Sequence, residues 1–517
     1  MTMVRRLLLL AVGCVALSAG TSIPDVAAET IWGEPELLSD GLTFDWFPES
    51  NADAAGAARL VWEATLQAES EDTSNGMGSA VVLSQQQSGG WSEPAAILVK
   101  DSYNAGRPIL VSDGRYAHMI VRYVPPDQNT RNLAGIYYSR AALGSDLTNA
   151  HSWTTPRPIS QSSAYWAQLV TLPDDGLVVV YNQLTDTLID NDVQQRSTIF
   201  SRRSPDHGET WDPPVRVSDH DLHSVRTSLA AIPDGSTLIA AWDLGYDNLV
   251  GQGRASGFAT AVSRDGGRTW STPVSYHGQY QQSTVATNGQ VTILVYRSTA
   301  GDRLHFRRSD DLGGAWSADE IIPDVIARPY PGDHNFDKLS LAVDGDGHFL
   351  LAYAGADPDA PYGLSVFVTS YRDAGWSEPE PIASPDGYPE YPRLTVALGN
   401  QIHVVYFVRD DPWDTKEATI WIVSGQSDAQ AIPPQEIEPA VAPTPVPTPT
   451  IQPVQLSTFP TPISAPDPIP RSSSSTTGLQ TTMHSPLLLI VGGTSASLLV
   501  VLVVYAAIRL PDRIRRH

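Results

Sequence analysis

The chain of 517 residues has almost no cysteine and few basic residues. Its one cysteine, Cys14, lies in an apolar run near the N-terminus, so a chain cleaved after that run has no thiol. This excludes disulfides, cysteine-based zinc sites and a cysteine nucleophile. The 33 lysines and arginines face 57 acidic residues, and the formal net charge is −24. Nucleic-acid binding requires basic surface, so we expect no nucleic acid among the partners.

The N-terminal segment has the composition of a secretory signal peptide. Arg5 and Arg6 precede the apolar run Leu7 to Leu17, and Val26-Ala27-Ala28 supplies the small residues that a signal peptidase needs. The apolar run is too short to span a bilayer comfortably. We therefore expect residues 1–28 to be a signal peptide and residues 29–432 to be the folded part.

A second apolar segment, residues 486–508, indicates a C-terminal transmembrane helix. It carries no charge, has roughly the twenty residues that a bilayer core requires, and is followed by the basic tail 509–517. Residues 433–485 are rich in Pro, Thr and Ser, which predicts a disordered, extended stalk. The expected localisation is the cell membrane, with a single pass, the N-terminal domain outside and the tail in the cytoplasm.

A tryptophan signature close to Trp-x-x-Pro recurs through the folded part. Short β-type runs ending in an aromatic residue recur in step with it, and Asp-Gly or Asn-Gly turns precede most of them. Such turns supply the positive φ of a tight hairpin. Repeated four-stranded units of this kind predict an all-β fold, a β-propeller. The tryptophans are Trp32, Trp91, Trp153, Trp211, Trp270, Trp316 and Trp376.

The repeats also predict how the ring closes. The strand of Trp32 has no hairpin before it, and the last hairpin, from Arg393 to Ser424, has no tryptophan strand after it. Pairing the two gives seven blades, with the N-terminal strand completing the last one. The alternative is six blades with one degenerate unit outside the ring.

Three units carry a sharper motif between their third and fourth strands. It resembles the Asp box, Ser-x-Asp-x-Gly-x-Thr-Trp, of the sialidase-like superfamily, and the chain is similar to a membrane-anchored bacterial member over roughly Thr30 to Ser424. The matching residues are Ser204, Asp206, Gly208, Thr210 and Trp211; Ser263, Asp265, Gly267, Thr269 and Trp270; and Ser309, Asp311, Gly313 and Trp316.

The Asp boxes are expected to be structural. Their aspartates can accept bonds from their own turn, and the glycine permits positive φ. In the related propellers the boxes lie on the face away from the ligand, so we expect no catalytic role for them. Asp344-Gly-Asp-Gly347 is interpreted as a hairpin turn rather than a calcium loop. No metal and no cofactor are expected.

The resemblance also implies what a sialidase would need: three arginines for the substrate carboxylate, a Tyr–Glu nucleophile pair and an acidic acid/base. Candidate arginines near the starts of inner strands are Arg107, Arg226 and Arg393, and their candidate partners are Tyr391, Glu63, Asp243 and Asp337. The family's Phe/Tyr-Arg-Ile-Pro motif is absent, and Gly106-Arg107-Pro108-Ile109 is a loose echo of it.

Three functions remain open. The favoured one is a surface-displayed propeller that binds a glycan or another extracellular ligand without chemistry. The second is an exo-acting glycoside hydrolase of sialidase type, and the third is a protein-binding scaffold. Convergence of the three arginines on one axial pocket would favour hydrolysis, whereas an axis lined by small or apolar residues would favour binding.

Overall fold

The structure is a computed structural model. It describes residues 30–39, 44–53, 56–65, 79–88, 90–98, 104–124, 134–189, 192–219, 222–247, 249, 251–332, 337–373, 375–411 and 418–432. The predicted signal peptide, stalk, membrane segment and tail lie outside these residues. Within the described part of the chain, no helix is long and apolar enough to cross a membrane.

The described residues form strands and two short 3-10 turns, Ala150–Ser152 and Leu398–Asn400. In chain order the strands are β1 (Ile31–Trp32), β2 (Glu36–Leu37), β3 (Phe44–Ala52), β4 (Ala58–Thr65), β5 (Ser79–Gln87), β6 (Gly90–Trp91), β7 (Ala95–Leu98), β8 (Asn104–Ser112), β9 (Tyr116–Val124), β10 (Gly135–Ala142), β11 (Arg157–Pro158), β12 (Ala164–Thr171), β13 (Leu177–Ile189), β14 (Asp192–Ser204), β15 (Val215–Arg216), β16 (Ser224–Ala231), β17 (Leu238–Asp247), β18 (Gln252–Ser263), β19 (Val274–His277), β20 (Tyr280–Thr287), β21 (Thr292–Ser298), β22 (Leu304–Ser309), β23 (Glu320–Ile321), β24 (Ser340–Val343), β25 (Phe349–Ala356), β26 (Leu364–Arg372), β27 (Gly375–Trp376), β28 (Glu380–Ala383), β29 (Tyr388–Val396), β30 (Gln401–Arg409) and β31 (Ala418–Gln426).

These strands form the predicted β-propeller. Blade 1 contains β3 to β7, blade 2 β8 to β11, blade 3 β12 to β15, blade 4 β16 to β19, blade 5 β20 to β23 and blade 6 β24 to β28. Blade 7 contains β29 to β31 together with β1 and β2. The first strand of each blade lies at the axis and is called its inner strand.

The ring closes as the repeats predict. Ile31 and Trp32 pair antiparallel with Gln426 and Gly425, and β2 pairs with the same strand, β31, at Ile422 and Trp421. The N-terminal strands therefore supply the outer edge of blade 7. The prediction of seven blades is confirmed, and the alternative of six is wrong.

Apolar packing between blades forms the core. Every residue of β17 is buried, which shows that both faces of this strand are covered by neighbouring blades. The box tryptophans contribute to these contacts: the ring of Trp211 in blade 3 lies 5.2 Å from that of Tyr138 in blade 2, edge to face. Each blade thus packs against the one before it, and a cluster such as Ile120, Ile136, Leu177 and Val179 joins blades 2 and 3.

The Asp boxes use their side chains within their own turns. Asp206 Oδ1 accepts the Thr210 N–H at 2.8 Å, and Asp265 and Asp311 accept the N–H of residues 269 and 315 at 2.9 and 2.8 Å. Burial alone would raise the pKa of Asp206, but bonds from Thr210 and Ser204 outweigh it and lower that pKa. The carboxylates are therefore committed to structure.

The Asp344–Gly347 segment is the hairpin turn between β24 and β25, as predicted. Asp344 Oδ1 accepts the N–H groups of Asp346 and His348, both at 2.9 Å. This carboxylate oxygen closes a tight turn by bonds to its own backbone.

Candidate functional site

The propeller has two chemically different faces. One carries the loops between blades and the loops between second and third strands, and we call it the loop face. The other carries the hairpin turns and the Asp boxes, and we call it the box face. The predicted site residues Arg107, Arg226, Tyr391 and Arg393 lie near the loop-face ends of inner strands.

Inner strands bulge near the loop face, and the bulges hold strained residues. The pairing register shifts in β3, β8, β16, β20 and β29, and within these shifts lie residues with positive φ. A non-glycine residue in this conformation costs about 1–3 kcal/mol and persists only where the surroundings hold it. These residues are Phe47 (φ 50°), Arg107 (49°), Arg226 (50°), Gln282 (61°) and Tyr391 (55°).

Carboxylates from another blade or a preceding loop hold three of these bulges. Glu63 of blade 1 accepts the Arg107 N–H of blade 2 at 3.2 Å. Asp243 of blade 4 accepts the N–H of Gln282 in blade 5 at 2.8 Å. Asp337, in the segment before β24, accepts the Tyr391 N–H of blade 7 at 2.8 Å. The three predicted acids therefore act first on the backbone of the inner strands.

Arg226 is neutralised inside the protein. Its Nη1 lies 3.4 Å from Asp243 Oδ2, and the side chains of both residues are 1% exposed. Asp243 also accepts the Ser283 N–H at 2.9 Å and the Ser283 hydroxyl at 2.8 Å. Burial raises the pKa of Asp243, while Arg226 and the hydrogen bonds oppose that shift. This pair is a buried structural unit.

Arg393 and Tyr391 share a carboxylate that sequence reasoning missed. Glu49 on β3 accepts Arg393 Nε at 2.9 Å and the Tyr391 hydroxyl at 3.3 Å. Tyr391 is 3% exposed, and burial followed by the Glu49 charge raises the pKa of its hydroxyl. The Tyr–Glu pair therefore exists, with Glu49 rather than the predicted Glu63. Glu49 lies on the inner strand of blade 1, 344 residues from Arg393, so no local sequence signal pairs the two.

Arg107 is enclosed by aromatic rings. Its guanidinium carbon lies 3.8 Å from the ring centre of Phe47, 4.2 Å from Tyr165 and 4.1 Å from Trp166. Its Nη2 also donates to the Tyr165 hydroxyl at 2.9 Å. Cation–π contacts of this kind are strongest where water is excluded, and Arg107 is 8% exposed.

The three arginines belong to one cluster. The Trp166 ring contacts Arg107 and lies 5.9 Å from the guanidinium of Arg226. The Phe47 ring contacts Arg107 on one side, and its centre lies 5.6 Å from that of the Tyr391 ring. Arg393 lies 5.6 Å from the Tyr391 ring. The predicted candidates are thus brought together by a continuous chain of ring contacts.

A buried lysine, also missed by sequence reasoning, reaches across this cluster. Lys338 Nζ donates to the Thr227 carbonyl of blade 4 at 3.0 Å. Burial first, and then the charge of Arg393, lowers the pKa of Lys338 to about 7, while Glu49 and Asp243 oppose the shift. Lys338 follows Asp337 directly, so the repeat gave no separate sign of it.

Aromatic and charged side chains that solvent reaches lie at the rim of the loop face, near blades 6 and 7. Tyr362 is 48% exposed, and its ring centre lies 5.8 Å from that of Tyr388. Tyr388 pairs in register with Arg409, which donates to Glu390 at 3.0 Å. Arg328 Nη1 lies 3.3 Å from the same Glu390 oxygen. The exposed Tyr362 ring, with the partly buried Tyr388 and Arg409 beside it, forms a surface suited to a polar ligand that also presents apolar faces.

Comparison with known proteins agrees with this architecture. Residues 135–404, from β10 of blade 2 into β30 of blade 7, match the family described as BNR repeat-like domain. No curated protein matches the chain in sequence.

Solved structures resemble the chain distantly. A protein of unknown function from Dyadobacter fermentans is 14% identical, with 77% of this chain and 99% of that one covered and a TM-score of 0.47. The NanB sialidase of Streptococcus pneumoniae is 13% identical, with 76% and 71% covered and a TM-score of 0.42. The intramolecular trans-sialidase of Ruminococcus gnavus is 15% identical, with 81% and 100% covered and a TM-score of 0.41. Likeness at this level says nothing about activity.

Proposed function

Because the chain belongs to the BNR repeat-like domain family, we propose that it is a glycan-binding propeller that holds sugar at the rim of its loop face without cleaving it. One observation carries this proposal. The arginines at the axis are bonded by the protein's own carboxylates or enclosed by its rings, and Arg226 and Tyr391 are 0% and 3% exposed. A substrate carboxylate would have to displace Asp243 or Glu49 to reach these charges.

The rim supplies the groups that sugar recognition uses. The exposed Tyr362 ring, with Tyr388 beside it, offers a flat apolar surface for the face of a pyranose. Arg409 forms a charged pair with Glu390 at the same edge. The Glu390 side chain is 4% exposed and that of Arg409 14%, so Arg409 is the member of the pair that can donate to a sugar hydroxyl. The pair is already neutral, so this surface suits neutral sugars as well as acidic ones.

A binding screen of the full-length protein against a panel of neutral and sialylated oligosaccharides tests the proposal. We expect at least one neutral oligosaccharide to bind, and Tyr362→Ala to weaken it by about tenfold because a stacking surface is removed. Ile321→Ala is the control, since Ile321 is 54% exposed on the outer strand of blade 5. Binding that Tyr362→Ala leaves unchanged, or no binding to any sugar, would contradict the proposal. The second result would favour the protein-binding scaffold.

Hydrolysis of sialosides is the second candidate, and one observation favours it. The Tyr391 hydroxyl contacts Glu49 within a cluster that also contains Arg107, Arg226 and Arg393. We expect no release from a fluorogenic sialoside by the full-length protein. Turnover that Tyr391→Phe abolishes would make this candidate the correct one. Tyr406→Phe is the matched control, because Tyr406 is a fully buried tyrosine of the same blade.

The cellular location is also a proposal: the propeller is displayed outside the cell on a stalk and one membrane helix. Its support is the sequence of residues 1–28, 433–485 and 486–508. The mature chain isolated from membranes is expected to begin near Glu29 by mass spectrometry. Protease added to intact cells should release a fragment containing residues 30–432. A chain that retains residues 1–28, or one that protease cannot reach, would contradict this proposal.

A further inference from the structure

Two histidines and an aspartate from two blades meet on the box face. Asp113 lies in the hairpin turn between β8 and β9, His118 lies on β9, and His207 lies inside the Asp box of blade 3. His118 Nε2 is 2.8 Å and His207 Nδ1 is 2.5 Å from the same oxygen, Asp113 Oδ2. One ligand atom of each residue lies within 4.8 Å of the others.

The hydrogen bonds around His118 leave one contact unsatisfied. The Tyr138 hydroxyl lies 2.9 Å from the His207 carbonyl and 2.7 Å from His118 Nδ1. Its single proton goes to the carbonyl, which can only accept, so His118 Nδ1 must donate to Tyr138. In the neutral ring the lone pair of His118 Nε2 then faces the Asp113 carboxylate. If Tyr138 donated to His118 instead, its own oxygen would face the carbonyl without a proton.

A cation bound by both Nε2 and Oδ2 resolves this conflict once the two atoms, now 2.8 Å apart, separate to the roughly 3.3 Å that tetrahedral ligands of one zinc ion require. A second proton on His118 would also do so, but the ring is fully buried, and charging a buried group is costly. His118 Nε2 has no hydrogen-bond partner of acceptable geometry among the described residues. A metal ion would accept the lone pairs of Nε2, Oδ2 and His207 Nδ1 together.

Two of the three atoms that point away from this centre, Asp113 Oδ1 and His118 Nδ1, are held by hydrogen bonds. Asp113 Oδ1 accepts the N–H groups of Arg115 and Tyr116 at 2.9 and 2.8 Å. His207 Nε2 lies 3.4 Å from Asp175 Oδ1, and His118 Nδ1 has its bond to Tyr138. Outer partners of this kind fix the orientation of metal-binding histidines. Asp113 and His118 are therefore oriented ligands, and His207 is placed by the fixed turn of its Asp box.

The positive charge of Arg140, which would disfavour a bound cation, is compensated. Arg140 donates to the His207 carbonyl at 2.6 Å and forms an ion pair with Glu209. Its positive charge is thus paired outside the cluster. Asp175, 3.4 Å from His207 Nε2, adds a second negative charge that favours a bound cation.

We propose that Asp113, His118 and His207 bind a divalent transition-metal ion, with zinc as the expected ion, and that it fastens blade 2 to blade 3. Two imidazoles and one carboxylate form a ligand set that zinc accepts, with a further position for water. The other Asp boxes provide an internal contrast. Gly266 and Leu312 occupy the position of His207 in blades 4 and 5, so those boxes have no imidazole to offer.

The test is zinc binding by the full-length protein after treatment with a chelator. We expect one zinc per chain by elemental analysis after desalting, and a higher melting temperature when zinc is restored. Cobalt in place of zinc should give the visible absorption of a site with nitrogen and oxygen ligands. His207→Gln is expected to weaken zinc binding by at least about tenfold. That side chain is partly exposed, so the variant should fold.

His348→Gln is the matched control. His348 Nδ1 lies 3.2 Å from Asp344 Oδ2 in the hairpin turn of blade 6, and among the described residues this His–Asp pair on the same face is not part of a three-residue cluster. The variant should bind zinc as the unaltered protein does. Failure of the unaltered protein to retain zinc, or equal binding by His207→Gln, would overturn the proposal. These outcomes do not depend on whether the loop face binds a glycan.

Discussion

The two faces of the propeller use carboxylates in opposite ways. On the box face, Asp206 and Asp265 accept bonds from residues four positions along the chain. On the loop face, Asp243 bonds the backbone of the next blade 39 residues away, and Glu49 bonds Arg393 across 344 residues. The Asp-box acids therefore stabilise one turn each, whereas loop-face acids hold blades together and occupy the arginines.

This difference changes how a charged cluster at the axis should be interpreted. Arginines gathered near a propeller axis suggest a site for an anionic ligand. Here the same arginines neutralise acids that the bulged inner strands need, so the cluster is explained by the fold itself. In our proposal, ligand recognition then falls to the exposed Tyr362 of the rim, with the partly buried Tyr388 beside it.

The largest expected contrast between the faces is in stability. Asp243→Asn leaves Arg226 buried without a carboxylate and should lower the free energy of unfolding by about 3–5 kcal/mol. Asp265→Asn on the box face should lower it by about 1 kcal/mol, because only local turn bonds are weakened. Urea unfolding of both variants measures the two losses of unfolding free energy. Equal losses would contradict the difference between the faces.

The second contrast is in pH dependence. Burial raises the pKa of Glu63 from 4.5 to about 7, against the opposing charge of Arg107. Since the folded-state pKa is the higher one, stability contributed by Glu63 is present below pH 4.5 and is lost as the pH rises through about 7. Between pH 4 and pH 8, the unfolding free energy of Glu63→Gln should gain about 3 kcal/mol relative to the unaltered protein.

The stability contributed by an Asp-box acid should depend on pH with the opposite sign. Burial raises the pKa of Asp265, but bonds from Thr269 and Ser263 outweigh it and lower the folded-state pKa. Its contribution to stability is therefore lost as the pH falls below about 4. Asp265→Asn should remove this acid sensitivity. If both variants shift the unfolding free energy with pH in the same direction, the assigned difference between the faces is wrong.

A smaller effect is expected where a blade approaches its neighbour closely. A Cβ atom at Gly106 would clash with Glu63 Oε2, so Gly106→Ala must displace the carboxylate that accepts the Arg107 N–H. We expect a loss of about 1–3 kcal/mol in the free energy of unfolding. Gly144→Ala is the control, because no atom lies within 4 Å of its added Cβ, and it should stay within about 0.5 kcal/mol. Matching values for the two would show that Glu63 is not held tightly.

The same contrast explains what could be predicted from the sequence. The seven blades, the closure by Trp32 and the Asp boxes depend on short patterns that recur along the chain, so local signals suffice. The positions of Arg107, Arg226 and Arg393 follow from the repeat as well. Their partners do not, because Glu49 and Lys338 meet them only after distant blades have closed into a ring.

The histidine cluster of the box face was beyond sequence reasoning for the same reason. Asp113 and His207 are 94 residues apart and belong to different blades. His118 occupies a strand position that ordinarily holds a core side chain. Only the packing of blade 2 against blade 3 brings the three together.

The most direct test of the account is a double-mutant cycle on Glu49 and Arg393. The unfolding free energies of Glu49→Gln, Arg393→Met and the double variant are compared with that of the unaltered protein. If Glu49 neutralises Arg393 as the structure indicates, the two changes should be coupled by about 1–3 kcal/mol, because either single change strands a buried partner. Additive effects, within about 0.5 kcal/mol, would contradict the account and leave Arg393 available to bind an anionic ligand.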